Sequence, residues 1–115
     1  LSGPCCIFGS NVKELLNDKE NWAFALSCMQ EAYSVGLAKV IPFSFKDPID
    51  YVFDFSKWVG SAKPSMLQDF ETKKKTEIDF INGAIPPLAA KSKIATPFND
   101  HVCRIIHNAE RQIKP

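Results

Sequence analysis

The sequence has no apolar run approaching the roughly 18 residues of a membrane span. It has no surplus of one charge either: 14 Lys+Arg against 13 Asp+Glu give a formal net charge of +1. A dedicated nucleic-acid or anionic-membrane binder carries a strong basic excess, so neither nucleic acid nor membrane is expected as a partner. Histidine is scarce, with two, and the four cysteines, Cys5, Cys6, Cys28 and Cys103, form no CxxC pair. No metal site is therefore expected, and the cysteines read as reduced, buried or half-buried thiols of a cytoplasmic protein. There is no GxGxxG and no phosphate loop, so the chain is not expected to cradle a nucleotide pyrophosphate that way. It opens without Met or signal peptide, on Leu1-Ser2-Gly3-Pro4, and reads as a piece of something longer.

What is present is helix. With 115 residues, 45% of them hydrophobic and 23% charged, the chain reads as one all-α domain with one core. Residues 11–16 predict a short helix. Asn17 with Glu20 has capping-box spacing, so a second helix is expected from there to Gly36, with Trp22, Leu26, Met29 and Tyr33 on one face and the small Ala25, Cys28 and Ala32 widening it for close packing. Residues 39–46 read as a connector, because Pro42 demotes a short strand. Asp47-Pro48 opens a third helix carrying Tyr51, Val52, Phe55 and Trp58. Ser65 with Gln68 has capping spacing for a fourth, with Met66, Leu67 and Phe70 inside. Lys73-Lys74-Lys75 reads as a solvated turn. Thr76 with Asp79 starts a fifth helix to Lys91, in which Pro86-Pro87 predicts a kink near residues 84–86. Thr96-Pro97 opens the last, with Phe98, Val102, Ile105, Ala109 and Ile113 on one side. The total is about six helices.

Three stretches carry a resemblance: Pro64-Ser65-Met66-Leu67-Gln68-Asp69, then Thr76-Glu77-Ile78-Asp79-Phe80-Ile81-Asn82-Gly83-Ala84, then Thr96-Pro97-Phe98-Asn99. In order and spacing they resemble the C-terminal helical domain of the ketopantoate reductases (2-dehydropantoate 2-reductases). The resemblance is strong over residues 64–99 and weaker before them.

The resemblance implies a two-domain enzyme that reduces ketopantoate to pantoate, a step toward coenzyme A. An N-terminal Rossmann domain, absent from this chain, would bind NADPH. Residues 1–115 would form the single helical domain on the substrate side of the cleft. In the family a lysine acts as general acid on the keto oxygen; its place lies upstream of Leu1, so this chain alone is expected to be inactive. Two positions carry over. Ser65 matches the serine that hydrogen-bonds the substrate. Glu77 matches the catalytic glutamate that supports substrate, cofactor and the lysine.

Both choices make physical sense: a helix N-terminus favours an anion such as the substrate carboxylate at Ser65, and the ionised form of a first-turn acid at Glu77. The bland alternatives are that Ser65 is only a cap and Glu77 only a first-turn acid. Asp69 and Asp79 read as caps or structural acceptors, Asn82 and Gly83 as aids to close packing, and Asn99 as a first-turn residue. Some members carry a substrate-binding asparagine where Ala62 stands here, Pro86-Pro87 interrupts a usually continuous helix, and Ser92-Lys93-Ile94 replaces a common glycine. These departures leave room for a paralogue acting on another 2-keto acid. From a different class comes a non-catalytic helical module that dimerises; a homodimer fits either reading.

Overall fold

Every regular element among the described residues is helical, in a computed structural model that describes residues 1–113. The order is α1 (Ser2–Phe8), α2 (Val12–Asn17), α3 (Lys19–Ala38), α4 (Pro48–Val59), α5 (Ser65–Glu71), 3-10 turns at Ile78–Phe80 and Asn82–Ala84, α6 (Ile85–Lys91) and α7 (Pro97–Glu110). The all-α expectation holds, and residues 39–46 form no strand.

Capping side chains set the starts of α2, α3 and α4. Asn11 opens α2 with a full capping box: its Oδ1 accepts the Glu14 amide at 2.8 Å, and Glu14 Oε1 accepts the Asn11 amide at 3.0 Å. The start expected at Asn17 moves by one residue. Asn17 still belongs to α2, and the extended Asp18 caps α3 by accepting the Asn21 amide at 3.0 Å. Asp47 caps α4 ahead of Pro48, as the sequence indicated. At α5 the capping-box reading fails. Pro64 holds the cap position with no side-chain bond, and Gln68 Nε2 instead donates to the Lys63 carbonyl at 3.1 Å.

Two larger departures concern proline. Helix α1 was not foreseen; Pro4 falls in its first turn, where an amide has no helical partner to lose. The helix expected over residues 76–91 is instead two 3-10 turns followed by α6. The chain breaks at Ile81 (φ −111°, ψ −101°), upstream of the prolines. Pro86 and Pro87 then occupy the first turn of α6, so they begin a helix rather than kink one.

Helices α1, α3, α5 and α6 end alike. In α1 the Ser10 amide reaches back to Cys5 and the Gly9 amide to Cys6, with Gly9 left-handed at φ 62°. The same pair of bonds closes α3 (Ile41 to Gly36, Val40 to Leu37), α5 (Lys74 to Asp69, Lys73 to Phe70) and α6 (Ile94 to Ala89, Lys93 to Ala90). In these three the left-handed position holds Val40, Lys73 or Lys93 instead of glycine. Gly36, expected to end α3, sits inside it, where the Phe43 ring rests against the bare backbone.

Helix α3 runs through the middle, against α1, α2, α4, α6 and α7. Its fully buried residues are Ala25, Cys28, Val35 and Gly36, not the larger Trp22, Leu26, Met29 and Tyr33, which are half-buried. Small side chains let the neighbouring backbones approach, and the large ones pack along the shoulders. Leu15, Leu67, Ile78, Val102 and Ile106 complete the core with Cys5 and Cys6. In α7 the buried face is Asn99, Val102 and Ile106, one step round from the face expected.

Candidate active site

Ser65 begins α5, and the next two residues, Met66 and Leu67, are buried and fix how that helix sits. The serine is thereby left exposed. Lys63 and Glu71 bracket α5 with an ion pair at 2.8 Å. Glu77 is also exposed, between two buried residues. On one side Thr76 donates its amide and, at 2.8 Å, its hydroxyl to Glu110 of α7. On the other Ile78 lies wholly in the core. The carboxylate therefore stands on a clamped backbone. The first-turn argument for Glu77 needs correction: it precedes a three-residue 3-10 turn, not an α-helix, so no extended dipole acts on it.

Helix α5 packs on α1, the first 3-10 turn packs on α7, and α1 packs on α7. Both residues thus ride on elements carried by the α1/α7 pair, and neither is sealed in the core. Phe80, three residues after Glu77, is 85% exposed. The sequence gave it no role beyond its place in the quoted stretch. Asp79 Oδ1 lies 2.7 Å from His107 Nε2, so it serves as a structural acceptor, as expected. All three lysines at residues 73–75 are exposed.

What the sequence missed most is a buried network joining two of the quoted stretches. Asn82 Oδ1 accepts the Gly3 amide at 3.1 Å, and its Nδ2 donates to Asn99 Oδ1 at 2.9 Å. Asn99 Nδ2 donates to the Cys28 carbonyl at 3.0 Å and to Glu31 Oε1 at 2.7 Å. Glu31 also accepts the Phe98 and Asn99 amides, both at 2.9 Å. A carboxylate from α3 therefore caps α7, whose own Thr96 makes no side-chain cap bond. Asn99 is a first-turn residue, as read, but a buried one. Gly83 belongs to the same design: a Cβ there would meet the Ile78 carbonyl oxygen at 2.8 Å. A Cβ on Gly3 would collide with Asn82 and Val102. A pair of asparagines 17 residues apart gave no sequence signal that they touch.

Cys5, Cys6 and Cys28 are buried and unpaired, and Cys103 is half-buried and unpaired. Burial pushes the Cys5 thiol up to about 11 and those of Cys6 and Cys28 up to about 12. They are inert packing groups at neutral pH. Among the described residues, no helix is long and apolar enough to cross a membrane.

Comparison with known proteins bears on the family and the fold. The family described as "Ketopantoate reductase PanE/ApbA C terminal" matches residues 1–110. A 2-dehydropantoate 2-reductase of Lactococcus lactis subsp. lactis is 29% identical over 118 residues, covering 99% of this chain and 38% of the relative. The chain thus spans little more than a third of that relative's length. A D-mandelate dehydrogenase solved with NADH and anilino(oxo)acetate superposes with a TM-score of 0.84 at 28% identity, covering 97% of this chain and 62% of that one. A dimeric ketopantoate reductase from Staphylococcus aureus shares the fold, with a TM-score of 0.82 at 15% identity over 98% of this chain and 39% of its own. The chain belongs to the ketopantoate reductase family, as its C-terminal helical domain.

Proposed function

We propose that the chain is the substrate-side domain of an NADPH-dependent 2-dehydropantoate 2-reductase that reduces ketopantoate to pantoate in the cytoplasm. The observation that carries this reading is the presentation of Ser65 and Glu77. Both are exposed, Ser65 just ahead of the buried Met66 and Leu67 and Glu77 between the buried Thr76 and Ile78. The Ser65 hydroxyl donates to the substrate carboxylate. The Glu77 carboxylate accepts from a ribose hydroxyl or an ammonium group, which suits an ionised acid on the surface. The described residues contain no strand–turn–helix cradle for a dinucleotide, so the fit to the cofactor is limited to that single carboxylate. NADPH is held by a separate N-terminal Rossmann domain, and the chain alone turns nothing over. The assembled enzyme is a homodimer.

A second reading, a reductase of another 2-keto acid, has two observations in its favour. Ala62 stands where some members bind substrate through asparagine, and a close structural neighbour is a D-mandelate dehydrogenase with NADH. The test is NADPH oxidation by the full-length protein with ketopantoate. Glu77→Ala should lower kcat/KM about 100-fold, roughly 2.7 kcal/mol, with the melting temperature unchanged. Preference for NADH and an aromatic 2-keto acid would select the second reading. No turnover across a panel of 2-keto acids with either nucleotide would overturn both.

A further inference from the structure

Glu77 stands between two anchors that reach its segment from one helix. Just before it, Thr76 donates its hydroxyl to Glu110 Oε2 at 2.8 Å and its amide to the same oxygen. Just after it, beyond Ile78, Asp79 Oδ1 lies 2.7 Å from His107 Nε2. His107 and Glu110 are three apart on α7, so they share one face, about 4.5 Å apart along the axis. Thr76 and Asp79 are three apart as well and meet them in reverse order. The segment that carries the carboxylate is thus laid antiparallel along the end of α7 and pinned on both sides of Glu77.

Between the pins Ile78 is wholly buried. Its burial holds the segment down without orienting it, because apolar contact has no direction and a hydrogen bond does. The Ile78 amide donates to Thr76 Oγ1 at 3.3 Å and the Phe80 amide to the Glu77 carbonyl at 2.9 Å. These two bonds close the segment on itself and tie it to nothing else. The directional ties to the rest of the domain are therefore those to His107 and Glu110. We infer that His107 and Glu110 are positioning residues for Glu77: they aim its carboxylate at the cleft without touching substrate or cofactor. The inference rests on the role given to Glu77 above.

The two pins differ in kind. Thr76 is buried and Glu110 half-buried, so their bond also belongs to the packing of the domain. The side chains of His107 and Asp79 are 41% and 59% exposed. A pair so open to water adds little to global stability, and cutting it leaves the fold intact. What it does fix is local: without it the segment beyond Ile78 swings away from α7 and turns Glu77 with it. A misplacement of about 1 Å at a reacting group costs up to roughly 100-fold in rate. A surface pair of small thermodynamic weight thus acquires a kinetic one.

The experiment is a double-variant cycle in the full-length protein, with the nucleotide and 2-keto acid that the wild type turns over. His107→Leu should lower kcat/KM about tenfold and leave the melting temperature unchanged. His107→Gln, whose amide nitrogen falls near the place of Nε2 and donates in its stead, should stay within about twofold of the wild type. In the Glu77→Ala background His107→Leu should cost nothing more, because the group it aims is gone. Amide exchange reads the clamp without turnover: the Phe80 amide should exchange faster in His107→Leu, about threefold or more. No loss in His107→Leu, a loss that multiplies with that of Glu77→Ala, no rescue by glutamine, or unaltered Phe80 exchange each overturns the inference and leaves Glu77 its role. A Glu77→Ala enzyme as active as the wild type, or a wild type without turnover, overturns the functional reading and the inference with it.

Discussion

Around α1, α5 and α7 the chain buries polar groups and satisfies each of them, whereas around α4 it leaves aromatic rings in water. On the first side Asn82, Asn99 and Glu31 knit α1, α3 and α7 together, and no buried side-chain polar atom lacks a partner among the described residues. On the second, Tyr51, Phe55 and Trp58 are 52%, 45% and 83% exposed on a helix that packs mainly on α2 and α3. A satisfied polar network fixes one arrangement of helices, because any slip leaves an unpaired group in a low dielectric. The first side is thus a rigid base for Ser65 and Glu77. The second is an unfinished surface, with little to lose when its side chains are trimmed.

That contrast breaks most sharply at Asn99. Asn99→Leu removes the side-chain bonds to the Cys28 carbonyl and Glu31 and leaves the buried Asn82 amide without its acceptor, while Glu31 keeps its two backbone donors; the loss should cost about 3 kcal/mol in urea denaturation. Trp58→Ala in the same assay should stay within about 0.5 kcal/mol; equal losses at the two sites would erase the distinction. A smaller effect comes with alkali. The core thiols are pushed up from 9.0 to about 11 or 12 by burial, so the unfolded chain loses its thiol protons first. Their contribution is intact below pH 9 and is lost as pH rises through 11 to 12. The urea midpoint should therefore fall between pH 8.5 and 10.5, and Cys28→Ala should flatten that fall. The smallest change is a gain on the open side. Val40 holds φ 59°, costly for a β-branched residue. Val40→Gly should stabilise by up to about 1 kcal/mol, seen as a higher melting temperature.

The helices were legible where a capping side chain or an apolar spacing announces them, as at Asp47 and over residues 11–16. They were misread where position decides what a residue does. Pro86 and Pro87 look like breakers but fall in a first turn, where a missing amide costs nothing. Ser65 and Gln68 have the spacing of a capping box, yet Pro64 takes the cap and Gln68 turns to Lys63. On α3 the face was centred on the large residues with Ala25, Cys28 and Ala32 widening it, while the helix buries Ala25 and Cys28 and leaves the large ones at the shoulders. The site residues came from motif resemblance, and nothing in periodicity would have singled out Glu77. The asparagine network was invisible because its members are joined only in space: Gly3 and Asn82 lie 79 residues apart and Cys28 and Asn99 lie 71 apart.

Those spans set a timetable for the ribosome. Glu31 and the Cys28 carbonyl emerge early, but the groups that quiet them arrive with Phe98 and Asn99, at the start of the last helix. Until α7 has cleared the exit tunnel the nascent domain holds a partnerless carboxylate beside its central helix and cannot settle into its final packing. Folding of this helical domain accordingly waits for α7, and arrest before Pro97 should leave residues 1–96 protease-sensitive.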